Sequence, residues 1–291
     1  MNLFRLNLAR SLRRWSGLRR LWLLLAIALA TQNVALMQHT QGPQAAVMAV
    51  LVWAGAYICL EDRLPLLRPN PAPGQLLLGI PLVLWVLFRS AMASHWDGLL
   101  YAMAPLGGLA LLLLGAPWRQ WGQAREALLC LLLLPAYALV MRVVPEQPLS
   151  LASAMGAGSV LSSLGFLAHV DQRSVLLPGG GVTVLAPCNG LDQIAQLMCV
   201  AVLFQLVFPL RSWRSGLLVL AVTPLLGWFI NALRVALLAS FAGAGQGKGT
   251  FLFDFFHDQA GSLLFSGVGT LLLGVLYLQL IERQLARAER S

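Results

Sequence analysis

Charge is what this chain lacks most. Only 11% of its 291 residues are Asp, Glu, Lys or Arg, against about 25% in a soluble domain. Hydrophobic residues make up 58%, and mean hydropathy is +0.76. These values exclude a water-facing globule with one packed core. Cysteine is also scarce. The four residues Cys59, Cys130, Cys188 and Cys199 form no C-x-x-C pair, which excludes a zinc ribbon, a thioredoxin-type pair and a disulfide scaffold. His39, His95, His169 and His257 are scattered without ligand spacing, so no metal and no cofactor is implied. The net charge of +9 is not arranged as a basic stripe with interleaved aromatics, which argues against a nucleic-acid partner. No G-x-S-x-G nucleophile site, internal repeat or low-complexity tract is present.

What remains is long apolar runs. A spanning helix takes about 20 mostly apolar residues. Candidates run near 21–37, 45–60, 75–92, 98–116, 127–144, 190–210, 216–241 and 259–281. The expected fold is an all-α membrane protein of about eight transmembrane helices, in contact with lipid. A cleavable signal is the alternative for the first run, because Ala28-Leu29-Ala30 mimics a cleavage site, but apolar residues continue to Met37. Basic residues set the orientation. The N-terminal arginines, Arg63 and Arg68, Arg119 and Arg125, Arg211 and Arg214, and the tail arginines fall on one side, giving an N-in/C-in topology. Pro65 to Pro73 is a proline-rich connection on that side that cannot be helical throughout. Residues 149–170 are uncharged but rich in Ser, Gly and Ala, and read as a helix on or dipping into the outer surface. The resulting organisation is a cytoplasmic basic N-terminus at 1–20, a five-span bundle at 21–144, an outer-face segment at 145–188, a three-span part at 189–281 and a cytoplasmic tail at 282–291.

Three places carry chemistry. Val175–Leu177 and Val182–Leu185 flank Pro178-Gly179-Gly180-Gly181, which reads as a short extended hairpin. It delivers Cys188, followed by Asn189 and Gly190, to the start of an apolar helix. There the helix dipole would lower a thiol's pKa, with Asn189 as N-cap and Asp192 opposing unless paired. Arg234 lies inside a span, where charge is costly and marks a polar site, and Asn231 shares its face at i−3. His257, beside Asp258, opens the last span, with Gly261 one turn on. Cysteine with histidine is the nucleophile–base arrangement of acyl transfer, and a buried Arg suits a thiolate or oxyanion.

In their order and spacing, Cys188-Asn189-Gly190 after Leu177-Pro178-Gly179-Gly180, Asn231-x-x-Arg234, and His257 followed by Gly261 resemble the exosortase/archaeosortase family of membrane proteins. The resemblance covers roughly the C-terminal 120 residues. Asn189 stands where the common motif has Ser, as expected of a subfamily such as the cyanobacterial branch. The resemblance implies a cysteine endopeptidase/transpeptidase at the outer face of a bacterial inner membrane. It would process exported proteins bearing a Pro-Glu-Pro-type motif, a transmembrane helix and a basic tail, with an unidentified acceptor. By the same resemblance Cys188 is nucleophile, Arg234 the oxyanion or thiolate stabiliser, and His257 general acid/base, supported by Asn189, Gly190, Asn231, Asp258 and Gly261. A transporter or channel with an Arg-lined cavity, or a non-catalytic assembly protein for surface export, are the competing classes.

Overall fold

The structure, a computed structural model, describes residues 17–63, 71–93 and 97–288. Most of the proline-rich connection, His95 and the first N-terminal arginines lie outside them. Among the described residues, seven helices are long and apolar enough to cross a membrane, and Leu191–Val207 is a shorter apolar helix. The protein is an all-α, multi-pass membrane protein carrying one small sheet. Leu77 and Leu271 are among many large apolar side chains left exposed, as expected where the solvent is lipid.

Two compact units divide at Pro135. The first holds α1 (Gly17–Gln41), α2 (Pro43–Glu61), α3 (Pro73–Ala91), α4 (Met103–Gly115) and the start of α5 (Arg125–Val143). Pro81 sits inside α3 without ending it. Polar side chains here are tied down. Trp53 Nε1 donates to Asn33 Oδ1 at 3.1 Å, and Gln75 Nε2 donates to the Ala116 carbonyl at 2.9 Å.

The second unit holds the end of α5, α6 (Glu146–Ser163), a three-stranded antiparallel sheet, α7 (Leu191–Val207), α8 (Trp213–Gly243), α9 (Phe251–His257) and α10 (Gln259–Ala288). α6 is not among the helices apolar enough to cross. Its buried small residues, Ser150, Ser153, Ala154, Gly156 and Ala157 among them, pack against α8. The strands are β1 (His169–Asp171), β2 (Ser174–Leu177) and β3 (Gly180–Thr183), in that spatial order. β2 and β3 form the hairpin, turning through Pro178 and Gly179; β1 extends it by a strand that its three residues do not announce in the sequence. Alternation explains the packing. Val175 and Val184 are buried in one cluster with Ala154, Ala157 and Leu161 of α6 and Val235, Ala236 and Ala239 of α8, and Cys188 packs against its edge. The hairpin is thus fixed to two helices by β-branched residues on one face, and this fixes where the chain leaves it.

Candidate active site

The chain leaves β3 into a single 3-10 turn, Ala186–Cys188, stabilised by the Cys188 amide donating to the Leu185 carbonyl at 2.9 Å. Asn189 follows, and its Oδ1 accepts from the Leu191 amide at 2.9 Å. The expectation that Asn189 is the N-cap is corrected by one residue. Gly190 occupies that position in the left-handed conformation, with φ 86°. Asn189 still satisfies one of the free amides that open a helix, but from one residue further out. Cys188 therefore precedes α7 by a turn and does not sit on its N-terminus.

Two buried polar side chains hold this bend. Asn231 of α8 donates through Nδ2 to the Cys188 carbonyl at 2.9 Å and to Ser153 Oγ at 3.3 Å. Ser153 of α6 donates in turn to the Asn189 carbonyl at 2.8 Å. Buried polar groups this deep need partners, and here each supplies the next. A Cβ on Gly190 would come within 2.8 Å of Asn231 Nδ2. Gly190→Ala therefore meets both a disfavoured backbone conformation and the side chain that holds Cys188. The expected outcome is a loss of about 1–3 kcal/mol in unfolding free energy, read by thermal unfolding in detergent, together with lower thiol reactivity at position 188.

Arg234 is three residues beyond Asn231 and only 6% exposed. Its Nε donates to the Phe256 carbonyl at 3.0 Å and its Nη2 to the His257 carbonyl at 2.6 Å. These are carbonyls at the C-terminus of α9, where a helix leaves acceptors unpaired and favours positive charge. The guanidinium fork thus clamps the last turn of α9.

His257 closes α9 and does not open the last span, as the sequence reading had it. The backbone turns extended at Asp258, whose amide donates to the Asp254 carbonyl while its own carbonyl accepts from Ser262 in the first turn of α10. α10 restarts from Asp258, a residue type common at helix starts. Gly261 accordingly does not share a helix face with His257. A Cβ at Gly261 would lie 2.5 Å from Phe256 Cα, so its bare backbone lets α10 press against the end of α9.

The clamp places the imidazole beside the thiol. His257 Nε2 lies 4.0 Å from Cys188 Sγ, and Nδ1 lies 3.4 Å from Asp258 Oδ1. A proton on Nδ1, directed at Asp258, leaves Nε2 as the base that faces sulfur. Phe253 stacks under the ring at 5.6 Å between centroids and 14° between planes. Burial pushes the Cys188 thiol above its ordinary pKa, and the charge of Arg234 pulls it partly back. The lowering that the sequence led one to expect from a helix N-terminus is absent, because Cys188 lies a turn short of α7, and desolvation sets the direction. Asp192 does not stand loose beside the thiol, because Tyr137 donates to its Oδ1. Cys188 and His257 open into a cleft of about 730 Å³. It is lined by the run Gly181–Leu185, by Val235, Leu238 and Ala242 of α8, and by Lys248 and Asp254.

All three motifs therefore meet. Sequence reasoning missed Ser153, Tyr137 and Phe253. The small-residue face of α6 was the available sign for Ser153, since a polar residue among small ones at helical spacing marks close helix packing.

Fold and site together define a multi-pass helical membrane protein with a cysteine–histidine pair held in a cleft. Residues 39–274 match the family Transmembrane exosortase (Exosortase_EpsH), which is most of the chain, and the chain belongs to that family. No curated protein and no solved structure matches it.

Proposed function

We propose that this exosortase-family protein is a cysteine endopeptidase/transpeptidase acting on the C-terminal sorting signal of exported proteins. The observation that carries the reading is the 4.0 Å approach of Cys188 Sγ to His257 Nε2, held by Arg234 from behind. Apo distances of this kind tighten when substrate fills a site. Cys188 passes its proton to His257 Nε2 and its sulfur bonds to the carbonyl carbon of the scissile peptide. The tetrahedral adduct collapses to a thioester as His257 returns the proton to the departing amine. Water or an acceptor amine then adds to the thioester, losing a proton to His257, and the thiol leaves with that proton. Two of the Arg234 nitrogens are committed to carbonyls, so Arg234 acts first by positioning and second through its charge. The same commitment gives no support to an Arg-lined transport cavity.

In this reading the substrate is an exported protein ending in a short motif, a transmembrane helix and a basic tail. The site faces the periplasmic side of a bacterial inner membrane, with both termini in the cytoplasm. The test is to express the full-length protein with a reporter carrying such a signal, quench in acid, and look for a hydroxylamine-sensitive adduct. A thioester in the native protein that is missing in Cys188→Ala is the expected result. Full processing by Cys188→Ala, or labelling of position 188 only from the cytoplasmic side, would sink the proposal.

A further inference from the structure

The cleft wall that runs into Cys188 is a strand edge. β3 pairs with β2 on one side only, because the sheet order ends at β3. Five consecutive residues, Gly181 to Leu185, line the cleft. Side chains alternate between the two faces of a strand, so a cleft against a face would be lined by every second residue. Consecutive lining, with Gly181 and Thr183 exposed, fits a cleft that runs along the backbone edge.

The hydrogen-bond phase tells which groups are offered there. Val184 donates its amide to the Arg173 carbonyl at 2.8 Å. Antiparallel pairs alternate between bonded and non-bonded, so the partners Val175–Val182 and Leu177–Gly180 carry the other ladder bonds. Gly181 and Thr183 then turn their N–H and C=O groups to the open side, into the cleft that holds the thiol and the imidazole. Exposed edges are normally blunted by charge, proline or a bulge. The opposite edge of this sheet is so protected: β1 is three residues long and carries His169 and Asp171. From Gly180 to Leu185 there is no charge and no proline.

We propose that β3 is the substrate-binding edge: an extended peptide segment beside the scissile bond adds to the sheet as a fourth strand, hydrogen-bonding to the backbone of Gly181 and Thr183. This rests on the peptidase reading and supplies what that reading lacks, a way to present a peptide carbonyl to Cys188. Main-chain pairing holds a peptide extended and in register while tolerating varied side chains, which suits a site that serves several exported proteins.

The test uses full-length Cys188→Ala protein in nanodiscs and a fluorescent synthetic peptide carrying the Pro-Glu-Pro-type motif, with binding read by anisotropy. Thr183→Pro removes the outward N–H while leaving the β2 ladder intact, because that N–H takes no part in it. Binding is expected to weaken by roughly ten-fold or more, with the thermal unfolding midpoint nearly unchanged. Should Thr183→Pro fail to fold, single backbone N-methylations along the peptide decide the matter against the unaltered edge. The expected result is that weakening alternates with period two along the non-proline positions. Unchanged affinity of a folded Thr183→Pro, insensitivity to N-methylation, or no peptide binding at all would overturn the edge proposal. Edge-dependent binding with no Cys188 thioester in the native protein would instead sink the peptidase reading and leave the edge standing.

Discussion

Cys188→Ala is expected to lower processing of a sorting-signal reporter by about four orders of magnitude or more, the scale on which removing the nucleophile of a coupled catalytic unit acts. The pH dependence of the native thiol carries the sharper information. Burial raises the Cys188 pKa, so the thiol is protonated at neutral pH in the resting protein. In the proposed mechanism the 4.0 Å pair with His257 is then a neutral thiol facing a base, and proton transfer would accompany attack on substrate. Alkylation by a small neutral reagent, which takes the thiolate without help from substrate, should rise with pH through the ordinary thiol range and beyond it, with no plateau near neutrality. The sign follows from the acid: a raised pKa moves the thiolate limb to higher pH. A plateau below pH 7 would mean a preformed thiolate–imidazolium pair and would contradict this account.

Much of this was written in the sequence, and what was hidden was non-local. Runs of apolar residues revealed the spans because the lipid demands them. The β-prone runs on either side of Pro178-Gly179-Gly180-Gly181 revealed the hairpin, since that Gly-rich turn does not continue a helix. Asn231 and Arg234 were legible as sharing one face because they are three residues apart on a helix, though each bonds a different segment. The break at Asp258 was not legible, because apolar residues on both sides continue the helical pattern and only a local backbone turn separates them. Tyr137 and Asp192 meet across 55 positions, and no local rule connects them. The thiol's environment was misjudged for a related reason. Proximity to a helix start was readable, but the left-handed Gly190 between them, and the burial of Cys188 against the hairpin cluster, depend on tertiary packing.

Arg234 separates two roles that one residue combines, and substitution at that position can take them apart. Arg234→Ala leaves the Phe256 and His257 carbonyls without their donor, at a cost of about 2–4 kcal/mol for two charge-assisted bonds. It also frees the end of α9. A shift of the imidazole by about 1 Å from the thiol is enough to lose roughly a hundred-fold in rate, so processing is expected to fall by about two to three orders of magnitude. Arg234→Lys restores the charge but not the planar fork that reaches two carbonyls at once. The alkylation limb of Cys188, which Arg234 pulls downward by its charge, should return close to its native pH in Arg234→Lys and move upward in Arg234→Ala. Processing, which in the proposed mechanism needs His257 in place, should remain about a hundred-fold or more down in both. If Arg234→Lys recovered processing along with the alkylation profile, charge alone would account for the residue, and the clamp on α9 would have no part in catalysis.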